Sequence, residues 1–168
     1  MIQPKVAVFA VGNRSRGDDA IGPLLLERLD AWLAAEGQSG KFTLIEDYQL
    51  QIEHALDLQG KRLALFIDAG CGTPAPLEFF AIGSTPKLPA RNTHALPPQE
   101  VLGIYRQAMG GEPPPSFVLC VRGERFELGE GLSASAEANS ESAWRQLMQL
   151  CHRPDAAHWR ALAKTGSD

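Results

Sequence analysis

The sequence predicts a single-domain α/β fold, a three-layer sandwich with a mostly parallel, twisted sheet flanked by helices. Three observations predict it. Up to residue 69 the chain alternates strand, helix, strand, helix, strand, the order that yields a parallel sheet with right-handed crossovers. Residues 5–11 and 63–69 are apolar at successive rather than alternate positions, as strands covered on both faces are. The chain has 168 residues and is 44% apolar, enough for one proper core and too apolar for disorder.

Each element follows from its residues. The run 5–11 ends in Gly12-Asn13. Ile21, Leu24, Leu25, Leu29, Trp32 and Leu33 then recur at helical spacing, and Gly37 supplies a stop. Pro23 is tolerated only in a first turn, so the helix starts soon after Asp19. A second strand covers 42–46, a short helical piece 52–58, and a third strand 63–69, apolar until Asp68. The second half is less regular. A strand is expected over 77–82, and a loop broken by Pro86 and Pro89 over 84–92. A helix follows over 97–109, a strand over 117–121 and a helix over 134–150. The domain is expected to span 1–153, with a C-terminal tail over 154–168 that is helical around 159–164.

Composition excludes several classes. The net charge of −4 and pI near 5.6 leave no electrostatic footprint for nucleic acid. The apolar runs are too short to span a bilayer, and the N-terminus lacks the pattern of a signal peptide. Cys71, Cys120 and Cys151 are odd in number and widely spaced, which fits a reducing compartment better than a disulfide scaffold. The expectation is a cytoplasmic monomer with neither a nucleic-acid nor a membrane partner.

In an open α/β sheet, ligands bind beyond the carboxyl ends of the strands. Three polar clusters fall there: residues 12–19, 46–49 and 68–72. The first has the glycines of a phosphate loop but not its chemistry. Asp18 and Asp19 stand where Lys and Ser or Thr would be needed, and two carboxylates repel phosphate. Aspartate also caps helices well, and one cap position exists for two aspartates. Asp68 could serve its own glycine-rich turn. His94 alone would be an ordinary surface histidine. His152 and His158 lie in polar surroundings and receive no role. Asp19, Asp68 and His94 together would supply two carboxylates and an imidazole from three loops. Such an open set meets a substrate rather than closing a structural metal cage.

Gly12-Asn13, followed by Asp18-Asp19-Ala-Ile-Gly22, resembles the N-terminal signature of the nickel–iron hydrogenase maturation endopeptidases. The strand ending Phe66-Ile-Asp68-Ala69, the Thr93-His94 step and the stretch Phe126-Glu-Leu-Gly129 with Leu132-Ser133 resemble that family in the same order. The resemblance spans about residues 6–150. Tyr48-Gln-Leu-Gln-Ile-Glu-His-Ala-Leu-Asp57 is similar to the branch serving NAD-reducing, bidirectional hydrogenases.

The resemblance implies an endopeptidase that removes a short C-terminal peptide from the nickel-loaded large-subunit precursor of a hydrogenase. It implies Asp19, Asp68 and His94 as the residues that grasp nickel, with Asp19 or Asp68 doubling as catalytic base. The nickel is expected to be carried by the precursor, with no tightly bound metal of the enzyme's own. Relatives often place Glu where this chain has Asp19, one methylene longer. Asn13, Asp18, Gln49 and His54 are candidates for contacts with the substrate. Arg14 and Arg16 either solvate their loop or seat an acidic part of the precursor. The chain lacks the GxSxG elbow and the HExxH helix, which leaves carboxylate-assisted or metal-assisted attack by water. Two alternatives remain open. Cys71 could be the nucleophile of a small amidohydrolase, which requires a basic partner. A nickel-binding chaperone would use the same three ligands without cleavage.

Overall fold

A computed structural model describes residues 3–84 and 96–164. Strands β1 (Val6–Val11), β2 (Phe42–Asp47), β3 (Leu63–Gly70), β4 (Leu77–Ile82) and β5 (Ser116–Arg122) form one sheet in the order β2-β1-β3-β5-β4. All neighbours are parallel except β4, which runs antiparallel to β5. The helices are α1 (Ile21–Ala35), α2 (Pro98–Met109), α3 (Ala134–His152) and α4 (Ala156–Leu162). The expected three-layer α/β sandwich is the observed one, with strand and helix ends displaced by one to three residues.

The unbroken apolar strands explain the layers. Val6, Val8 and Ala10 of β1 point into a core shared with α1, α3 and α4. Ala7 and Phe9, between them, point into a second core with α2 and the 52–58 segment. β3 divides in the same way, with Leu65 and Ile67 on one face and Ala64 and Phe66 on the other. A strand with two cores can spare no position for a polar residue until it ends.

Two details refine the sequence reading. Residues Ile52–Leu58, expected as a short helical piece, form specifically a 3-10 helix. Its cap explains this: the Gln51 amide donates to Nδ1 of His54 at 2.8 Å, fixing a tight first turn. The tail is also not loose. Asp155 caps α4 by accepting from the His158 amide at 2.8 Å. Trp159 is fully buried against Phe79 and Phe117, and its indole N–H donates to the Leu150 carbonyl at 2.9 Å. A boundary at residue 153 therefore coincides with no break in the packing. Of the expected loop over 84–92, all but Ser84 lies outside the described residues.

Strand order positions the site. From β1 the chain moves to one side to make β2, then returns across it to make β3. The carboxyl ends of β1 and β3 thus flank the switch point, where neighbouring connections diverge and leave a crevice. Gly22 brings α1 close to that crevice. A β-carbon there would lie 2.8 Å from the Val11 carbonyl oxygen and 3.1 Å from that of Ile67. Only glycine lets the first turn of α1 rest directly on the β1 and β3 backbones.

Candidate functional site

The loop after β1 turns through Gly12, whose φ of 149° places the absent side chain against the Asp19 carbonyl. It then enters a 3-10 turn, Gly17–Ala20. That turn puts Asp18 and Asp19 in opposite roles. Asp18 is fully buried. Its carboxylate accepts from the amides of Glu124, Arg125 and Ser133 at 2.7, 2.9 and 2.8 Å, and from the Ser133 hydroxyl at 2.7 Å. Burial pushes its pKa up, but those four donors outweigh burial and hold it below the ordinary value. Its oxygens are spent on joining the 12–20 loop to the 123–133 loop, and it caps neither its own turn nor α1. Further bonds reinforce the join: Gly17 N–H to the Glu130 carbonyl at 3.0 Å, and Gly129 N–H to that of Ser15 at 2.7 Å.

Asp19 is half-buried and accepts from the Asn13 amide at 2.7 Å. The Asn13 side chain in turn accepts from the Ser15 amide at 2.8 Å, so Asn13 holds the loop from both its ends. Asp68 stands at the end of β3, where its carboxylate accepts from the Ala69 amide at 2.8 Å. Burial pushes its pKa up to about 6; the Ala69 hydrogen bond opposes that rise and the nearby Asp19 charge adds to it. Asp68 therefore lies close enough to Asp19 to sense its charge.

Asp68 also lines a cleft of about 520 Å³. Leu50, Phe66, Phe80 and Leu96 give it apolar walls, while Thr73, Glu78 and Cys120 add polar groups. Thr73 Oγ1 and Cys120 Sγ lie 3.0 Å apart, and burial pushes the Cys120 thiol up. Sequence reading missed these three. Glu78 offered a signal, as the only acid in the apolar strand β4; Cys120, in a strand read as wholly apolar, offered none.

The remaining candidates are placed as follows. His94 lies outside the described residues. Among the described residues, no three of His, Cys, Asp and Glu are arranged to hold a metal ion. Gln49 is half-buried beside Leu50 of the cleft. His54 is buried, with Nδ1 accepting from Gln51 and Nε2 3.4 Å from Asp47 Oδ2. The ring thereby ties the end of β2 to the 3-10 helix after it. Arg14 grips Glu46, at 2.6 and 3.0 Å, and Glu27 at 3.1 Å. Arg16 donates to the Phe126 carbonyl at 3.2 Å. Both arginines thus have partners within the chain. Cys71 is exposed on the turn after β3.

No family model matches the sequence, and no curated protein matches it either. Solved structures do match. HybD, the hydrogenase maturating endopeptidase from Escherichia coli, superimposes with a TM-score of 0.67 at 22% identity, over 89% of this chain and 93% of that one. HycI, a nickel–iron hydrogenase maturation protease from Thermococcus kodakarensis, gives 0.65 at 20% identity, over 90% and 94%. This chain has the hydrogenase maturation protease fold. An endopeptidase from Escherichia coli matches likewise, with a TM-score of 0.62 at 23% identity over 88% of this chain and 93% of that one. Within that fold, Asp19 follows β1 and Asp68 lies near the end of β3, the two strands that flank the switch point.

Proposed function

We propose that this chain is an endopeptidase that removes a short C-terminal peptide from the nickel-loaded large-subunit precursor of a nickel–iron hydrogenase. One observation carries the reading: Asp19, in the turn after β1, and Asp68, near the end of neighbouring β3, lie close enough for their charges to interact, and in the metal-free chain burial pushes Asp68 up to about 6. A carboxylate in that range is mostly ionised at neutral pH yet basic enough to take a proton from water. Asp68 would accept that proton as water attacks the scissile carbonyl, then return it to the leaving amine. The apolar walls of the adjoining cleft suit the side chains next to that bond.

The nickel belongs to the substrate in this reading. Asp19 and Asp68, together with His94, form a donor set of carboxylates and imidazole that suits a divalent first-row metal. Recognition of the ion would confine cleavage to precursors that have received it. No metal of the enzyme's own is proposed. The partner is the precursor, in the cytoplasm, with the enzyme as a monomer. Among the described residues, no helix is long and apolar enough to cross a membrane.

Mass spectrometry of the precursor before and after incubation tests the proposal. Loss of a C-terminal peptide from nickel-loaded precursor, and none from nickel-free precursor, is the expected result. Asp19→Asn, Asp68→Asn and His94→Ala should each abolish it. An unchanged precursor mass would favour a nickel-binding chaperone, and normal cleavage by all three variants would refute the site.

A further inference from the structure

Five large apolar side chains are prominently exposed among the described residues, and three of them share one connection. Tyr48, Ile52 and Leu56, between β2 and β3, are 72%, 65% and 61% exposed. The same stretch, 46–57, contains Glu46, Asp47, Glu53 and Asp57 and neither Lys nor Arg. Those four charges equal the net charge of the whole chain. Glu46 is paired with Arg14. Glu53 is exposed and forms no ion pair among the described residues.

This ridge is continuous with the candidate site through the backbone. The Asp47 carbonyl accepts from the Gly12 amide at 3.1 Å, and the next amide, that of Asn13, donates to Asp19. A partner seated on the ridge would therefore approach the crevice holding Asp19 and Asp68.

We propose that the ridge formed by Tyr48, Ile52 and Leu56 docks the protein substrate, through an apolar patch on that partner fringed with lysine or arginine. The inference rests on the proposed function and deepens it. Large apolar side chains exposed along one short connection mark interaction surfaces, and tyrosine is among the residues enriched in them. The acidic fringe selects the partner's charge and speeds encounter. It also argues against a second copy of this chain, because a two-fold contact would set acidic ridge against acidic ridge.

The test uses the full chain and the full-length, nickel-loaded precursor. Ile52→Ser combined with Leu56→Ser should raise KM at least tenfold with kcat within twofold of wild type, while the circular dichroism spectrum and melting temperature stay within error. Glu53→Lys should raise KM at 50 mM salt and flatten its rise toward 500 mM. A KM within twofold of wild type for the double variant overturns the proposal, as does a fall in kcat at unchanged KM. If the wild type leaves the precursor uncut, the proposed function falls by itself. Calorimetric binding of the precursor then decides the ridge: a tenfold weakening by the double variant supports it, and equal binding overturns it. A wild-type dimer in sedimentation that the double variant abolishes would place a second copy on the ridge and also overturn it.

Discussion

Asp18 and Ser133 are joined by two hydrogen bonds across 115 residues of chain: the Ser133 amide donates to one carboxylate oxygen at 2.8 Å and its hydroxyl to the other at 2.7 Å. The same hydroxyl accepts from the Ala136 amide at 3.2 Å and so caps α3. One buried acid thus fixes both the loop before α1 and the start of α3. Asp18→Ala should cost about 3 kcal/mol or more in urea unfolding, because buried donors lose a charged acceptor. Asp18→Asn should recover little of that, since one of its two positions would become a donor facing a donor.

The pKa of Asp18 is held below the ordinary 3.8, so its contribution is complete above that pH. It is lost as pH falls below 3.8 toward the folded value. Acid unfolding of the wild type should therefore be steep below pH 4. In Asp18→Asn that part of the slope should be missing.

Asp68 has the opposite sign. Burial favours its neutral form in the folded chain and raises its pKa to about 6, so its contribution to stability is best below 3.8 and declines as pH rises from 3.8 to about 6. That gap corresponds to roughly 3 kcal/mol of destabilisation at neutral pH. Asp68→Asn should therefore melt above the wild type at pH 7 while losing cleavage, and the difference should shrink below pH 4. Carbon NMR of the metal-free protein should find the Asp68 carboxyl titrating near 6. Asp19→Asn should lower that value, because a like charge is removed.

Gly22→Ala tests how closely α1 must lie on the strands. The new methyl would meet the Val11 carbonyl at 2.8 Å, and a backbone oxygen cannot step aside cheaply. A loss of about 2 kcal/mol is expected. Because the 3-10 turn carrying Asp19 runs straight into α1, cleavage should fall by more than the loss of folded protein explains. Activity per folded molecule, measured well below the melting temperature, checks this.

Trp159→Ala should cost roughly 3–5 kcal/mol, as removal of a fully buried aromatic side chain does. Deletion of residues 154–168 should destabilise the chain at least as much. Equal stability of the truncated and full chains in urea would mean that α4 is dispensable.

Much of the fold could be read from the residues because β1 and β3 are apolar at every position, which dictates two covering layers. Asp19 and Asp68 stand out as candidates in the sequence because one follows such a run and the other ends one. What escaped reading depends on distant pairing. Nothing local distinguishes Asp18, a buried strut, from half-buried Asp19; the difference lies in amides of residues 124–133. Trp159 looked like part of a tail because its partners, Phe79 and Phe117, lie 80 and 42 residues earlier. The cap of 52–58 uses a histidine ring at the third helical position, accepting from the Gln51 amide where a glutamate or glutamine would be expected.

The clasp between the 12–20 loop and residues 123–133 also imposes an order of assembly. A ribosome delivers the first loop early, yet the groups that hold it arrive only after four further strands and two helices. Until then Gly17, Asp18 and Ser15 lack the partners that set their geometry. Asp19 therefore gains its folded position late in synthesis, once the sheet beneath it is complete. A nascent or truncated chain would carry both acids without their alignment, and the proposed hydrolytic centre would come into being only with the finished molecule.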